Sequence, residues 1–289
     1  MAVLSANARD FVDRPGPGWE NQPYGLFTVA KPLRLSDHAS VEGQEFLTPY
    51  CSLPVGYAVN CTPGSKASAL TGAYVNVPGD PFVVLAGMEC GAMTAENSGQ
   101  SPDDYTRNFV ISKLKAGEQR AVENIFSRGL VGQAPGLSTA VAPVTVPTPT
   151  NDNMINAIQA LEAAYAALFG LPGVLHVPIK AMAQLATGHL TEAGSDGVIR
   201  TPMGTPISLG NYAGYGPADV APADAAHRWI WMTGPVSVWR QDDADMFVSP
   251  WAESIDKTTN QIHRFAERTY IVEYECTPLA LLANVEACC

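Results

Sequence analysis

His176, six cysteines, a cluster of aspartates and three tryptophans are the residues whose types and spacing bear on chemistry. His176 stands between Leu175 and Val177. An imidazole there is able to act as a base, because its proton is gained and lost near neutral pH. In a short apolar run a histidine more often packs and hydrogen-bonds, and that is the reading adopted. Cys51 and Cys61 lie ten positions apart with Cys90 further on, which misses the close cysteine pairs of zinc sites. Cys288 and Cys289 read as a tail rather than a metal site. Asp242, Asp243 and Asp245 lack the alternating spacing and glycine of a calcium loop and read as a solvated turn. The stretch GNYAGYGP lacks the G-x-G-x-x-G order of a phosphate loop and reads as a turn among strands. Trp229, Trp231 and Trp239 offer surface for stacking on bases, yet only Arg228 and Arg240 stand near them. They are read as core or interface anchors. No G-x-S-x-G, H-E-x-x-H or Walker A stretch occurs. No catalytic, cofactor-binding or metal-ligating residue is therefore assigned, and an enzyme is the distant alternative.

The bulk numbers point away from an isolated monomer. Of 289 residues, 46% are hydrophobic and only 16% charged, against about a quarter charged in an ordinary domain. Much of the surface must then be small, apolar or uncharged, as burial between subunits would explain. A low-charge extracellular protein would also explain it. The net charge is −11 without any lysine or arginine cluster. That argues against groove or sequence-specific binding of nucleic acid, though not against lying beside it. The opening MAVLSANARDFVDR carries Asp10 and Asp13 early and does not read as a signal peptide. No run approaches the ~18 apolar residues of a membrane span. Synthesis in the cytoplasm and reduced thiols follow as expectations.

Several elements are needed to hold such a chain together. Residues 1–42 read as an arm, with a short helix near Leu4 to Val12 and then RPGPGWENQPYG, which cannot be regular structure. Residues 43–90 read as strands and turns, with apolar runs at Val55 to Val59, Tyr74 to Val77 and Phe82 to Ala86. Pro63-Gly64 and Pro78-Gly79-Asp80 are the turns, so a long β-hairpin or extended loop is expected. Residues 102–128 are the clearest helix. Pro102, Asp103 and Asp104 suit its first turn, and Arg128 before Gly129 suits its end. Its apolar stripe is read as Tyr105, Phe109, Val110, Leu114, Ala121, Val122, Ile125 and Phe126. PGLSTAVAPVTVPTPT, within 130–150, is linker-like. A second helix runs over 152–169, capped by Asp152 or Asn153 and stopped by Gly170. Val174 to Val177 read as a short buried strand, after which Pro178 opens a helix ending at Gly188. Ile207 to Leu209, the two halves of HRWIWMTGPVSVWR and MFVSP read as strands. In Asp256 to Asn284, Tyr270, Val272 and Tyr274 alternate with Thr269, Ile271, Glu273 and Glu275. That predicts a strand with one packed and one wet face, followed by Leu279, Leu281 and Leu282 beyond Pro278.

This order of elements resembles the HK97-type major capsid proteins of tailed bacteriophages, whose fold encapsulin shells share. The echo is strongest in NQIHRFAERTYIVEYECTPLALL, where Asn260, Glu267, Arg268 and Pro278 match an asparagine-containing lead, an ERR-like turn and a proline before an apolar tail. TPMGTPISLGNYAGYGP followed by RWIWMTGPVSV looks like the shell proteins of actinobacterial phages. The resemblance covers the whole chain by organisation and about a quarter of it by motif.

It implies an α+β fold made of an N-terminal arm (1–42), an extended β-hairpin loop (43–90) and a peripheral domain with a long spine helix (91–129). An axial domain (130–252) follows, and then a peripheral return strand and tail (253–289). It implies a subunit that self-assembles as pentamers and hexamers into an icosahedral head enclosing double-stranded DNA, made in the host cytoplasm and resident in the virion. No cofactor and no membrane are implied. A separate scaffolding protein, or none, is implied by the short arm, and portal and decoration proteins are possible partners. Lys66 lies in the kind of loop that cross-links chains in some members, but no partner residue is identified for it. An encapsulin-type shell around protein cargo, or another virion component, is the near alternative.

Overall fold

The computed structural model describes residues 23–36, 44–48, 75–91, 101–130, 136–139, 143–170, 172–188, 190–256, 258 and 261–286. Leu4 to Val12, Val55 to Val59, Cys51, Cys61, Lys66, Asn260, Cys288 and Cys289 lie outside them. A one-turn helix α1 (Leu26–Val29) precedes strands β1 (Leu33–Arg34), β2 (Gln44–Thr48), β3 (Val75–Gly79) and β4 (Phe82–Gly91). The long helix α2 (Pro102–Arg128) leads to β5 (Val144–Thr145), helix α3 (Met154–Phe169), β6 (Val174–Pro178) and helix α4 (Met182–Thr187). Then come β7 (Glu192–Ala193), β8 (Ile199–Arg200), β9 (Pro206–Gly210), β10 (His227–Thr233) and β11 (Val236–Arg240). β12 (Phe247–Val248), β13 (Ile255–Asp256), β14 (Gln261–Tyr274) and β15 (Leu279–Asn284) complete the order. The expected mixture of helix and strand, α+β, is what the chain forms. β2 and β3 pair antiparallel, Gln44 opposite Gly79, as a ribbon at the base of the stretch read as an extended hairpin.

The chain divides into two units, one built from Val83–Glu118 and Asp242–Arg268 and the other from the described parts of Gln22–Phe82, Gln119–Gln241 and Thr269–Cys289. In the first unit, Ser101 caps α2: its hydroxyl accepts from the Asp104 amide at 3.1 Å. That satisfies one of the donors a helix start leaves open. Strand β14 pairs there with β4, β12 and β13. Its buried positions are Ile262, Arg264, Ala266 and Arg268. This period-2 face includes two arginines, which is why the sequence showed only a polar lead-in before Thr269. The strand starts at Gln261 instead, and Glu267 and Arg268 sit inside it rather than at a turn.

The second unit is built on a seven-stranded mixed sheet in the order β5-β15-β10-β6-β9-β8-β7. Helix α3 covers one face. Ile158, Leu161 and Tyr165 pack with Leu175, Val177, Ile207, Leu209, Ile230 and Leu281. Truncating a buried leucine such as Leu161 to alanine costs about 2–5 kcal/mol in such a core. Asn153 is the cap of α3, accepting from the Asn156 amide, and Gly170 ends it in the left-handed region at φ 68°. The linker-like stretch is partly tied down: Val144 and Thr145 pair with Leu279 and Ala280, and Leu137 is fully buried.

Three expectations need correction. Phe109 is 44% exposed, whereas Thr106, Glu118, Gln119, Glu123 and Ser127 occupy the buried side of α2. The expected stripe holds at Val110, Leu114, Val122 and Phe126, all buried, and is widened by these polar side chains, which hydrogen bonds and an ion pair largely compensate. The wet face expected of β14 is not wet at Ile271, which is fully buried against Leu35 with Trp239 beside it. Glu273 on the same face accepts from Trp239 Nε1 at 3.1 Å, and burial pushes its carboxyl up to about 8. Finally, the reduced-thiol expectation fails at Cys276, which is disulfide-bonded.

Candidate functional site

The described part of the stretch read as an arm binds back onto its own chain, and a buried carboxylate holds it there. Glu123, on α2, is fully buried. Its Oε1 accepts from the Leu26 amide at 2.9 Å and from Gln119 Nε2 at 2.9 Å. Its Oε2 accepts from the Asn211 amide at 2.7 Å. Two glycines make room for this arrangement. A Cβ on Gly210 would stand 2.4 Å from the Glu123 carboxyl carbon, and one on Gly25 would stand 2.5 Å from Oε1. The Tyr24 carbonyl accepts from the Leu209 amide at 2.8 Å. Burial raises the Glu123 carboxyl above its ordinary range, and the Asn211, Leu26 and Gln119 donors partly offset this.

Five residues earlier on α2, Glu118 is buried by a different device. Arg268 Nη1 donates to Glu118 Oε2 at 2.6 Å, with both side chains essentially inaccessible. Arg268 Nη2 also pairs with Asp243, and Lys115 Nζ donates to Asp243 at 2.5 Å. Asp243 is thus a counter-ion, which the solvated-turn reading of Asp242, Asp243 and Asp245 did not include. Arg264 pairs with Asp103 in the first turn of α2. Its guanidinium carbon lies 5.7 Å from the centre of the Trp251 ring.

On the sheet face opposite α3, His176 is fully buried. Its Nδ1 is 3.3 Å from the Tyr212 hydroxyl and its Nε2 is 2.8 Å from the Thr233 hydroxyl. Phe126 meets the ring edge-on with centroids 5.1 Å apart. Burial lowers its pKa to about 3, so the ring is neutral and shared between two hydroxyls. With one N–H and one lone pair both engaged, it fills a packing role in a buried polar network that also includes Ser208, bonded to Tyr212 at 2.5 Å.

The remaining flagged residues are placed as follows. Trp231 is 1% exposed and donates from Nε1 to the Tyr215 carbonyl at 2.9 Å. Trp229 lies against Gly216, where a Cβ would stand 2.3 Å from the indole. GNYAGYGP is therefore a backbone fitted around Glu123, Arg228 and Trp229, with Gly214 at φ +70°. Arg128 pairs with Asp219 at 2.7 Å and lies 4.1 Å from the Tyr215 ring centroid. His227, not flagged in the sequence, sits between Asp224 at 2.8 Å and Asp152 at 2.9 Å. An open cleft of about 440 Å³ is lined by Gly87, Glu89, Lys113, His263, Arg264 and Phe265. Lys113 Nζ donates there to the Gly87 carbonyl at 2.5 Å. Among the described residues no group of three or more His, Cys, Asp or Glu side chains is placed to hold a metal. No helix among them is long and apolar enough to cross a membrane.

What these residues do is fix chain segments to one another. The sequence missed Glu118, Glu123, Arg264 and Arg268 because their partners are far away in the chain. One signal was present: Ile262, Ala266 and Tyr270 recur at even positions, with both arginines on the same parity.

No family model matches the chain, and no curated protein matches it. Solved structures do. The capsid of a native GTA particle is similar over 98% of this chain and 99% of its own, with 14% identity and a TM-score of 0.55. A structure from Mycobacterium phage Ogopogo matches over 92% and 94%, with 14% identity and a TM-score of 0.53. One from Gordonia phage Cozz matches over 97% and 98%, with 12% identity and a TM-score of 0.51. The fold is the HK97-type capsid fold. At such identities the likeness establishes fold, and function has to be argued further.

Proposed function

We propose that this chain is the structural subunit of an icosahedral head shell of a tailed bacteriophage and encloses double-stranded DNA. The observation that carries the reading is a capsid fold matched end to end, over 98% of this chain and 99% of the GTA capsid chain. Low charge supports it, because 16% charged residues leave much surface suited to subunit contacts. The net charge of −11 supports a lining that confines DNA without gripping it. Residues 43–90 are the extended loop, which reaches over a neighbouring subunit. Residues 91–129 and 253–268 are assigned to the peripheral domain around the spine helix and 130–252 to the axial domain at the symmetry axes, whose sheet also takes in Leu279–Asn284. Residues 1–42 are the N-terminal arm, of which 23–36 bind their own subunit. Many modest contacts repeated around closed symmetry then give a stable shell.

Electron microscopy of the chain expressed alone, with light scattering, tests this. Closed particles tens of nanometres across, or pentamers and hexamers, are expected. A monomer or dimer unchanged by concentration and salt would overturn the reading. Nucleic acid inside particles from an infected host supports the phage head, whereas protein cargo would reassign the shell as an encapsulin-type compartment.

A further inference from the structure

His227 opens β10 with both ring nitrogens on carboxylates: Nδ1 is 2.8 Å from Asp224 Oδ1, and Nε2 is 2.9 Å from Asp152 Oδ2. An ionised carboxylate only accepts, and a neutral imidazole has a single N–H to give. Making both hydrogen bonds at once therefore requires both ring protons. Asp224 Oδ1 also accepts from the amides of Ala226 at 2.8 Å and His227 at 3.0 Å. Asp152 directly precedes Asn153, the cap of α3, and its carbonyl accepts from the Asn284 amide at 2.8 Å. Asn284 in turn lies opposite His227 in the β10–β15 pair. Three segments distant in sequence thus meet around His227, two of them through its imidazole.

We propose that Asp152, His227 and Asp224 form a proton-dependent clamp. The doubly protonated ring ties the loop before β10 to the lead into α3, and loss of one proton releases one carboxylate. The inference stands on the geometry and does not depend on the shell reading.

Other charged side chains face the clamp from the elements packed against it. Arg228 Nη1 donates to the Asp224 carbonyl at 3.1 Å. Lys180 Nζ donates to the Ala225 carbonyl at 2.6 Å and pairs with Glu286. Glu286 donates its amide to Asn284 Oδ1 at 3.0 Å.

Hydrogen bonding to Asp224, then to Asp152, raises the His227 pKa. Hydrogen bonding to His227 lowers that of Asp224. For a raised histidine, the stabilisation is complete below the ordinary value of about 6.5 and is lost as pH rises through the folded value. For the lowered Asp224, it is lost only as pH falls through a value below the ordinary carboxylate range. The clamp is closed between these two limits. The closed-to-open ratio falls as pH rises from ~6.5 through the folded His227 value, by at most about tenfold per pH unit.

Histidine C2-hydrogen exchange read by mass spectrometry resolves His227 in the full chain, in whatever assembly it forms. Amide exchange of a peptide spanning 220–230 reads the loop. The expected result is a His227 pKa above ~6.5 that moves down in both Asp152→Asn and Asp224→Asn. Loop amides are expected to lose protection above that pH beyond the intrinsic rise, and His227→Gln should abolish the extra pH dependence. Should His227→Gln not fold, the two asparagine variants decide the matter. A native pKa at or below ~6.5, or one unmoved in both asparagine variants, would overturn the clamp. Amide protection that follows the intrinsic curve throughout would also do so.

Discussion

Glu118 and Glu123 lie on the same helix, five residues apart, and each is buried to within 2% of its surface. Glu118 meets a guanidinium, Arg268, which is itself inaccessible. Glu123 meets three neutral N–H donors, two of them backbone amides, from Leu26 and Asn211. The first arrangement sets a buried carboxylate on a guanidinium, so that taking the guanidinium away costs Glu118 its charge partner, while Arg268 also holds Asp243. The second makes one side chain a fixing point for backbone that lies 97 and 88 residues away. A buried ion pair can be replaced as a unit. A carboxylate that organises backbone cannot be, since the amides it serves remain whatever replaces it.

Four variants sharpen or break this contrast. The largest effect is expected for Arg268→Met, which takes the guanidinium away from the buried Glu118 carboxylate and should cost about 3–5 kcal/mol in urea denaturation. Adding Glu118→Leu should return most of that loss. A double variant as unstable as the single would show that the pair organises more than itself. Next is Gly210→Ala, whose methyl would press on the Glu123 carboxylate and should cost about 1–3 kcal/mol. In a Glu123→Ala background that cost should shrink, and strict additivity would mean the glycine is needed for another reason.

Glu123→Gln turns an amide N–H toward one of the donors and should cost about 1–3 kcal/mol. This variant carries a pH signature. The folded state holds the Glu123 proton more tightly than the unfolded state does, so the wild type gains stability as pH falls from above the raised value toward 4.5. The gap between wild type and variant should widen over that range, and a constant gap would remove the burial argument. The smallest effect is Lys115→Ala. Its pair with Asp243 is about half exposed on both sides, so a change under about 1 kcal/mol is expected. A larger loss would mean that the Arg268 pair extends to the surface.

Legibility followed the range of the interactions. The limits of α2 and α3 were readable because caps are local: Pro102 and Arg128 bound one helix, and Asn153 and Gly170 bound the other. Strands β6, β10 and β11 were readable from apolar alternation and the Gly234-Pro235 break. The first half of β14 was not, since Arg264 and Arg268 look like surface residues until Asp103, Glu118 and Asp243 are beside them. His176 was read correctly as packed, although Tyr212 and Thr233 could not be named as its partners. The turn read in GNYAGYGP hid why its glycines are needed, because the groups that crowd them, Glu123 and Arg228, come from other elements. Burial of Leu26 and Phe27 went unseen for the same reason.

Strand β15 is not at an edge of the seven-stranded sheet. It sits between β5 and β10, with β6 and β9 beyond. Chain synthesis therefore sets a clock on this sheet. Strands from β6 onward can be made, but β10 has no partner on its β15 side, and β5 has none at all in the sheet, until Leu279–Asn284 is available. At ~5–20 residues per second, Val174 to Asn284 takes roughly 5–20 s to make. Through that interval the Leu279 and Leu281 positions of the core stand empty. Until Leu279–Asn284 joins, the sheet is short of its finished surface beside β10.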